Sequence, residues 1–126
     1  MEQFDRQDLD VQIQQALGTH GALKHKLRDA VENGRLPRPA HAIATDCACK
    51  FGKWLHHLKS DQSVARSPHY RAVVNAHSGF HRAAGRVARL VEDGRPDRAA
   101  EMLNELGYRQ ASDVLMAEMQ AWRRSI

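Results

Sequence analysis

The strongest constraint on the fold is a long stretch in which apolar and histidine residues recur with the period of an α-helix. Residues spaced by three and four positions share one face of a helix, and a globular protein buries an apolar face against its core. The members of this stripe are Tyr70, Val73, Val74, His77, Phe80, His81, Ala84, Val87, Ala88 and Val91. The stripe stops near Asp93-Gly94, so the sequence predicts one long helix that ends in a tight turn.

The segments before this stripe also have helical patterns. A first helix is predicted from about residue 6 to 33, and the proline-containing segment that follows it predicts a loop over 35–44. A short second helix is predicted next, with Thr45 or Asp46 as its N-cap. Its apolar residues are Phe51, Trp54, Leu55 and Leu58. A second loop is predicted over 60–68.

A fourth helix is predicted to start at Arg95-Pro96-Asp97, with Gly107 as a point where it kinks. Its stripe is Ala99, Leu103, Leu106, Ala111, Val114, Leu115, Glu118 and Trp122. The sequence has no alternating pattern typical of β-strands and no internal repeat. We therefore expect an all-α fold, an antiparallel four-helix bundle with a short second helix, in which residues 1–126 form a single domain.

Composition and charge exclude several classes of protein. No run of 18 apolar residues is present, so we expect no membrane span, and the polar N-terminus does not resemble a signal peptide. These features predict a cytoplasmic protein. The net charge of +4 is spread along the chain, so we expect no nucleic-acid partner. Two cysteines one residue apart favour metal or redox chemistry over a structural disulfide in a reducing compartment.

Three of the eight histidines interrupt apolar stripes. His77 and His81 are four residues apart and so share a helix face, and His20 interrupts the stripe of the first helix. An imidazole on a buried face must either be satisfied by hydrogen bonds or bind a ligand. The pattern of these residues is compatible with both. The other five, on polar faces or near loops, are His25, His41, His56, His57 and His69.

The periodicity leaves open which cysteine could join these histidines. If the second helix begins at Asp46, Cys47 shares the face of its apolar residues and Cys49 points away from the core. If residues up to Cys49 instead form a tight entry turn, Cys49 can reach the core. One thiolate and three imidazoles are a complete tetrahedral set for zinc.

Three motifs occur in order along nearly the whole chain. They are His20-x-x-Leu-Lys24, Cys49-x-Phe-Gly-Lys-Trp-Leu55 and His77-x-x-Phe-His81. Together they resemble the chemoreceptor zinc-binding domain family, whose members accompany bacterial cytoplasmic chemoreceptors and diguanylate cyclases. The cysteine motif is the specific part of this resemblance. Leu23 departs from the family pattern, which commonly has Trp at this position. The difference removes a packing aromatic but no ligand.

The resemblance implies that Zn²⁺ is bound by four residues. They are His20, Cys49, His77 and His81. Cys47 is not part of the family motif. The resemblance also implies a signalling partner of the chemoreceptor or diguanylate cyclase type, and a homodimer, because the receptors and cyclases of this family act as dimers.

A zinc site with four protein ligands is closed, whereas a catalytic zinc keeps one position for water. Ser78 also stands where a His-Glu-x-x-His metalloprotease has its Glu. We therefore expect no enzyme, but a sensory or regulatory module of chemotaxis or cyclic-di-GMP control that responds to zinc or to oxidation of its zinc-bound cysteine. The alternative is a structural or interaction bundle without metal, in which the buried histidines only make hydrogen bonds.

Overall fold

The computed structural model describes residues 6–45 and 50–126, and seven helices lie in these two ranges. They are α1 (Arg6–Asn33), α2 (Ala40–Ile43), α3 (Lys50–Leu58), α4 (Gln62–Ala65), α5 (Pro68–Glu92), α6 (Pro96–Leu103) and α7 (Leu106–Ser125). The described residues contain no β-strand, which confirms the predicted all-α class. The antiparallel arrangement of four helices stays a prediction. No helix in the described ranges is long and apolar enough to cross a membrane.

The helix predicted from the long stripe is the centre of the fold, because α5 contacts each of the six other described helices. The hydroxyl of Ser67 accepts a hydrogen bond from the Tyr70 N–H at 3.4 Å, and Pro68 occupies the first turn, where a missing N–H is tolerated. The helix ends before Gly94, whose φ of 72° suits glycine. The fully buried residues of its stripe are Val73, Phe80, Ala84, Val87 and Ala88.

The bounds predicted for the first helix agree with those of α1. Its C-terminus is closed by Gly34, which has φ of 77° and donates its N–H to the carbonyl of Ala30 at 2.7 Å. Ile13 and Leu27 are completely buried on its inner face. The prediction succeeds here because an apolar stripe and a C-terminal glycine identify the same helix.

Two helices of four residues lie where the sequence analysis predicted loops. α2 falls within 35–44, and α4 falls within 60–68. The side chain of Asp61 caps α4 by accepting the Ser63 N–H at 2.9 Å. A helix of one turn is too short to produce a periodic pattern, so the sequence analysis missed both.

The two residues predicted to cap the second helix have different outcomes. The Thr45 hydroxyl donates to the His41 carbonyl at 3.0 Å and so belongs to the end of α2. Asp46 lies outside the described residues. The apolar face of α3 is as predicted, since Phe51, Leu55 and Leu58 are buried and Trp54 is half-buried.

The predicted fourth helix is two helices, divided at Asn104 and Glu105 rather than kinked at Gly107. The Asn104 side chain returns to the Ala100 carbonyl at 3.1 Å, which competes with helix propagation. The break changes the helical phase, so the predicted stripe is wrong at Leu106 and Val114, which are 66% and 49% exposed. The buried face of α7 consists of Tyr108, Ser112, Leu115, Met119 and Trp122.

Candidate metal centre

Two of the predicted ligands lie side by side on α5. The rings of His77 and His81 are 4.5 Å apart between centroids, and the two residues are only 4% and 2% exposed. This proximity follows from their spacing of four residues, which places the two side chains one helical turn apart on the same face. Because the face packs on the core, both imidazoles are withdrawn from solvent.

The third predicted histidine comes from α1. His20 is 6% exposed, and its ring meets the ring of Phe80 edge-to-face with a centroid distance of 4.2 Å. A cavity of about 150 Å³ is lined by His20, His77 and His81 together. Its apolar walls include Phe51, Phe80, Leu115 and Met119. The fold therefore brings the three histidines from two helices to one cavity.

Burial also sets the protonation state of His20. Loss of hydration, together with smaller contributions from the neighbouring charges of Lys24 and His81, lowers its pKa from 6.5 to about 4. The ring is therefore neutral at pH 7. Zinc requires a neutral imidazole, so His20 is in the protonation state of a ligand without metal-driven deprotonation.

The hydrogen bond of His81 fixes which of its nitrogens could bind a metal. Its Nδ1 lies 2.8 Å from the Ile43 carbonyl oxygen, which can only accept, so Nδ1 donates. In a neutral ring the lone pair is then on Nε2. An N–H···O=C bond of this kind is the usual outer support of a metal-bound histidine.

The same region of α5 holds α2 in place. The Glu92 carboxylate accepts the Ala40 N–H at 2.7 Å, beyond the bond between His81 and Ile43. Between them, Gly85 lets the backbone of α2 approach closely, because a Cβ on it would lie 2.4 Å from the Cβ of Ala44. The chain that leads into the segment 46–49 is thus anchored on the helix that carries two predicted ligands.

The chain that follows this segment also contacts the histidines. The ring of Phe51 meets the ring of His77 at a right angle, with 5.2 Å between centroids, and stacks on Trp54 at 5.6 Å. The predicted ligand Cys49 and its neighbour Cys47 lie outside the described residues. Within residues 6–45 and 50–126, no three His, Cys, Asp or Glu side chains form a group that could hold a metal ion. The four-residue ligand set therefore stays a prediction.

The chemical type of the described donors fits zinc, although the three histidines do not by themselves form a group that could hold the ion. Three buried imidazoles line one cavity, one of them neutral because of burial and one oriented by a carbonyl. Nitrogen donors of this kind are preferred by zinc, and a cysteine would complete the set of four.

A family model described as "Chemoreceptor zinc-binding domain" matches residues 20–88, more than half of the chain. The chain belongs to the chemoreceptor zinc-binding domain family. The match begins at His20 and includes Cys49 and both histidines of α5. Neither the curated proteins nor the solved structures contain a match to the chain.

Membership in this family confirms two expectations from the sequence, the family itself and its cofactor, Zn²⁺. Domains of this kind are zinc-binding modules of chemotaxis and signalling proteins, with a sensory or regulatory rather than a catalytic character. The match is shorter than the resemblance along nearly the whole chain described above, because it ends at residue 88 and leaves out α6 and α7.

One residue next to the site was missed by the sequence analysis. Ser112 of α7 is 1% exposed, and its Oγ lies 3.1 Å from Nε2 of His20. Ser112 interrupts an apolar stripe, which is the same signal that identified His20, His77 and His81. It was missed because the predicted stripe of this helix ran through Ala111 and Val114 instead.

Proposed function

We propose that this chain is a sensory module that binds one Zn²⁺ through His20, Cys49, His77 and His81. The observation that carries the proposal is the shared cavity of the three histidines. The neighbours of Cys49 support it, since Phe51 packs on His77 and α2 is anchored on α5. When bound, the metal would cross-link α1, α5 and the segment between α2 and α3.

A regulatory role follows from the number of protein donors. Four of them fill a tetrahedral shell and leave no position at which water could be activated. The residues around the cavity are mostly apolar, and we assign no nucleophile or general base to them. The proposal is therefore that the protein responds to a signal and is not an enzyme.

Two signals are compatible with this ligand set, zinc itself and an oxidant. The thiolate of Cys49 would be the reactive donor, because an oxidant such as hypochlorous acid converts a thiolate to sulfenic acid, a weaker ligand. Loss of that donor would release the segment between α2 and α3 from the histidines. The change would reach a partner through the helices that flank the cavity.

The proposed partner is a cytoplasmic signalling protein or domain of the chemoreceptor or diguanylate cyclase type. The proposal includes a homodimer in the cytoplasm, since such receptors and cyclases act as dimers. Size-exclusion chromatography with light scattering measures the oligomeric state, and a monomer at all concentrations and zinc levels would contradict this part.

The ligand assignment is tested by exchanging the two cysteines separately. Cys49→Ala should reduce zinc content and affinity strongly, because it removes a first ligand, whereas Cys47→Ala should leave both near the wild-type values. Metal analysis of protein purified without added zinc, followed by competition with a chromogenic chelator, measures both quantities. The reverse order of the two variants would show that Cys47 is the ligand, and a wild-type zinc content near zero would contradict the proposal.

A further inference from the structure

Ser112 is a buried polar residue on an otherwise apolar face of α7. It is 1% exposed, and the residues that share its face, Tyr108, Leu115 and Met119, are buried. A buried hydroxyl requires a hydrogen-bond partner, and here the partner is Nε2 of His20 at 3.1 Å. The residue lies outside the segment 20–88 that matches the family.

The direction of this hydrogen bond decides whether His20 can bind a metal. A neutral imidazole has one N–H and one lone pair, and a serine hydroxyl can donate or accept. If the hydroxyl donates to Nε2, the proton of the ring is on Nδ1, and no lone pair is left for a metal while the bond lasts. If Nε2–H donates to the hydroxyl oxygen, the lone pair is on Nδ1. Only the second arrangement allows the bond and the metal together.

We infer that Ser112 is a positioning residue for the metal centre, which accepts the Nε2–H of His20 and thereby presents Nδ1 as the ligand atom. The inference rests on the proposed function. It gives His20 and His81 opposite ligand atoms, because His81 donates Nδ1–H to the Ile43 carbonyl and keeps its lone pair on Nε2. It also connects α7 to the metal centre through one hydrogen bond, although α7 supplies no predicted ligand.

The tautomer of His20 tests the inference without any metal. Long-range correlation of ring protons with ¹⁵N in metal-free wild-type protein at neutral pH distinguishes the two neutral tautomers. The expected result is a protonated Nε2 and an unprotonated Nδ1 for His20. A protonated Nδ1 would overturn the inference. This measurement uses the wild-type chain, so it stands even if a variant of Ser112 does not fold.

Zinc affinity provides the second test. Ser112→Ala is expected to lower the affinity about 10-fold or more, as loss of an outer partner of a metal-bound histidine commonly does. Ser125→Ala is the matched control, because it removes a hydroxyl from the same helix that donates to the Trp122 carbonyl. This control should bind zinc like wild type. An affinity of Ser112→Ala within about 2-fold of the control would overturn the inference.

A double variant separates this inference from the ligand set on which it rests. If Ser112 acts through His20, Ser112→Ala should have no further effect on zinc affinity in a His20→Ala background. If Ser112→Ala lowered zinc affinity equally in the wild-type and His20→Ala backgrounds, the inference would be overturned but the proposed ligand set would stand. Wild-type affinity in His20→Ala itself would overturn both the inference and the proposed ligand set.

Discussion

The ring of His20 is withdrawn from water, and this has a consequence for stability. Burial, with smaller contributions from Lys24 and His81, lowers the pKa of His20 in the folded state from 6.5 to about 4. Between these two values the unfolded chain binds more protons than the folded one, so the free energy of unfolding falls as the pH falls. The stability that depends on a neutral His20 is fully present above about pH 6.5 and is lost as the pH falls to about 4.

We expect metal-free protein to lose up to about 3 kcal/mol through His20 across this range, since each unit of pKa shift corresponds to about 1.4 kcal/mol. The measurement is urea unfolding in a strong chelator at several pH values between those limits. His20→Gln should show a smaller dependence on pH than wild type. His25→Gln is the control, because His25 lies exposed on the same helix. Identical pH dependence in wild type and His20→Gln would contradict the prediction.

At the scale of single residues, the sequence predicts those parts of the site that are formed by side chains of a conspicuous type. A histidine on an apolar stripe is visible in the sequence, and His20, His77 and His81 all line the cavity. The carbonyl of Ile43 carries no such signal, because every residue has a carbonyl and only the fold decides which one faces His81. Ser112 also interrupts an apolar stripe, but it was missed because the helical phase of the last helix was predicted wrongly.

At the scale of elements, the contact between α2 and α5 connects the histidines of α5 to the chain that leads into residues 46–49, where both cysteines lie. α2 has only one turn, so its position depends on contacts with α5 rather than on its own helical stability. The end of α2 approaches α5 closely at Gly85, where an added Cβ would lie 2.8 Å from the Cα of Ala44. Since backbone atoms cannot move aside as a flexible side chain can, any larger residue at position 85 must displace α2.

Gly85→Ala is therefore expected to destabilise the protein by about 1–3 kcal/mol and to weaken zinc binding by shifting the chain before Cys49. Gly79→Ala on the same helix is the matched control, because its Cβ would meet only the end of the Arg82 side chain, at 3.8 Å. The control should gain about 0.5–1 kcal/mol from the higher helix propensity of alanine. Thermal and urea unfolding measure both effects, and a stabilising Gly85→Ala would disprove the close contact.

An element can be predicted from the sequence only if it is long enough to repeat its apolar pattern. α1 and α5 each repeat their pattern over several turns, so their positions were predicted. α2 and α4 have four residues each and cannot show a period. The division between α6 and α7 lies at Asn104, whose side chain donates to the Ala100 carbonyl. A residue of this type also occurs inside continuous helices, so the sequence does not mark the break.

At the scale of the whole molecule, the proposed ligands join parts of the chain that are far apart in sequence. α1 supplies His20, α5 supplies His77 and His81, and the segment between α2 and α3 supplies Cys49. α5 contacts all the other described helices, so a metal bound to it would stabilise the centre of the fold. That residues 1–126 form one domain stays a prediction.

Zinc should therefore raise the melting temperature, because a ligand that binds the folded state and not the unfolded state stabilises it in proportion to the logarithm of its concentration over Kd. The measurement is differential scanning calorimetry of zinc-loaded wild type with and without a strong chelator. The chelator should lower the melting temperature in wild type and have no effect in Cys49→Ala/His77→Ala. An unchanged wild-type melting temperature would favour the bundle without metal.

X-ray absorption at the zinc edge of the loaded protein tests the proposed ligand set most directly. The proposal predicts one sulfur at about 2.3 Å and three nitrogens at about 2.0–2.1 Å, with the imidazole scattering pattern. In Cys49→Ala the sulfur contribution should vanish. A shell without sulfur, or one with two sulfurs, in the wild-type protein would contradict the set of His20, Cys49, His77 and His81.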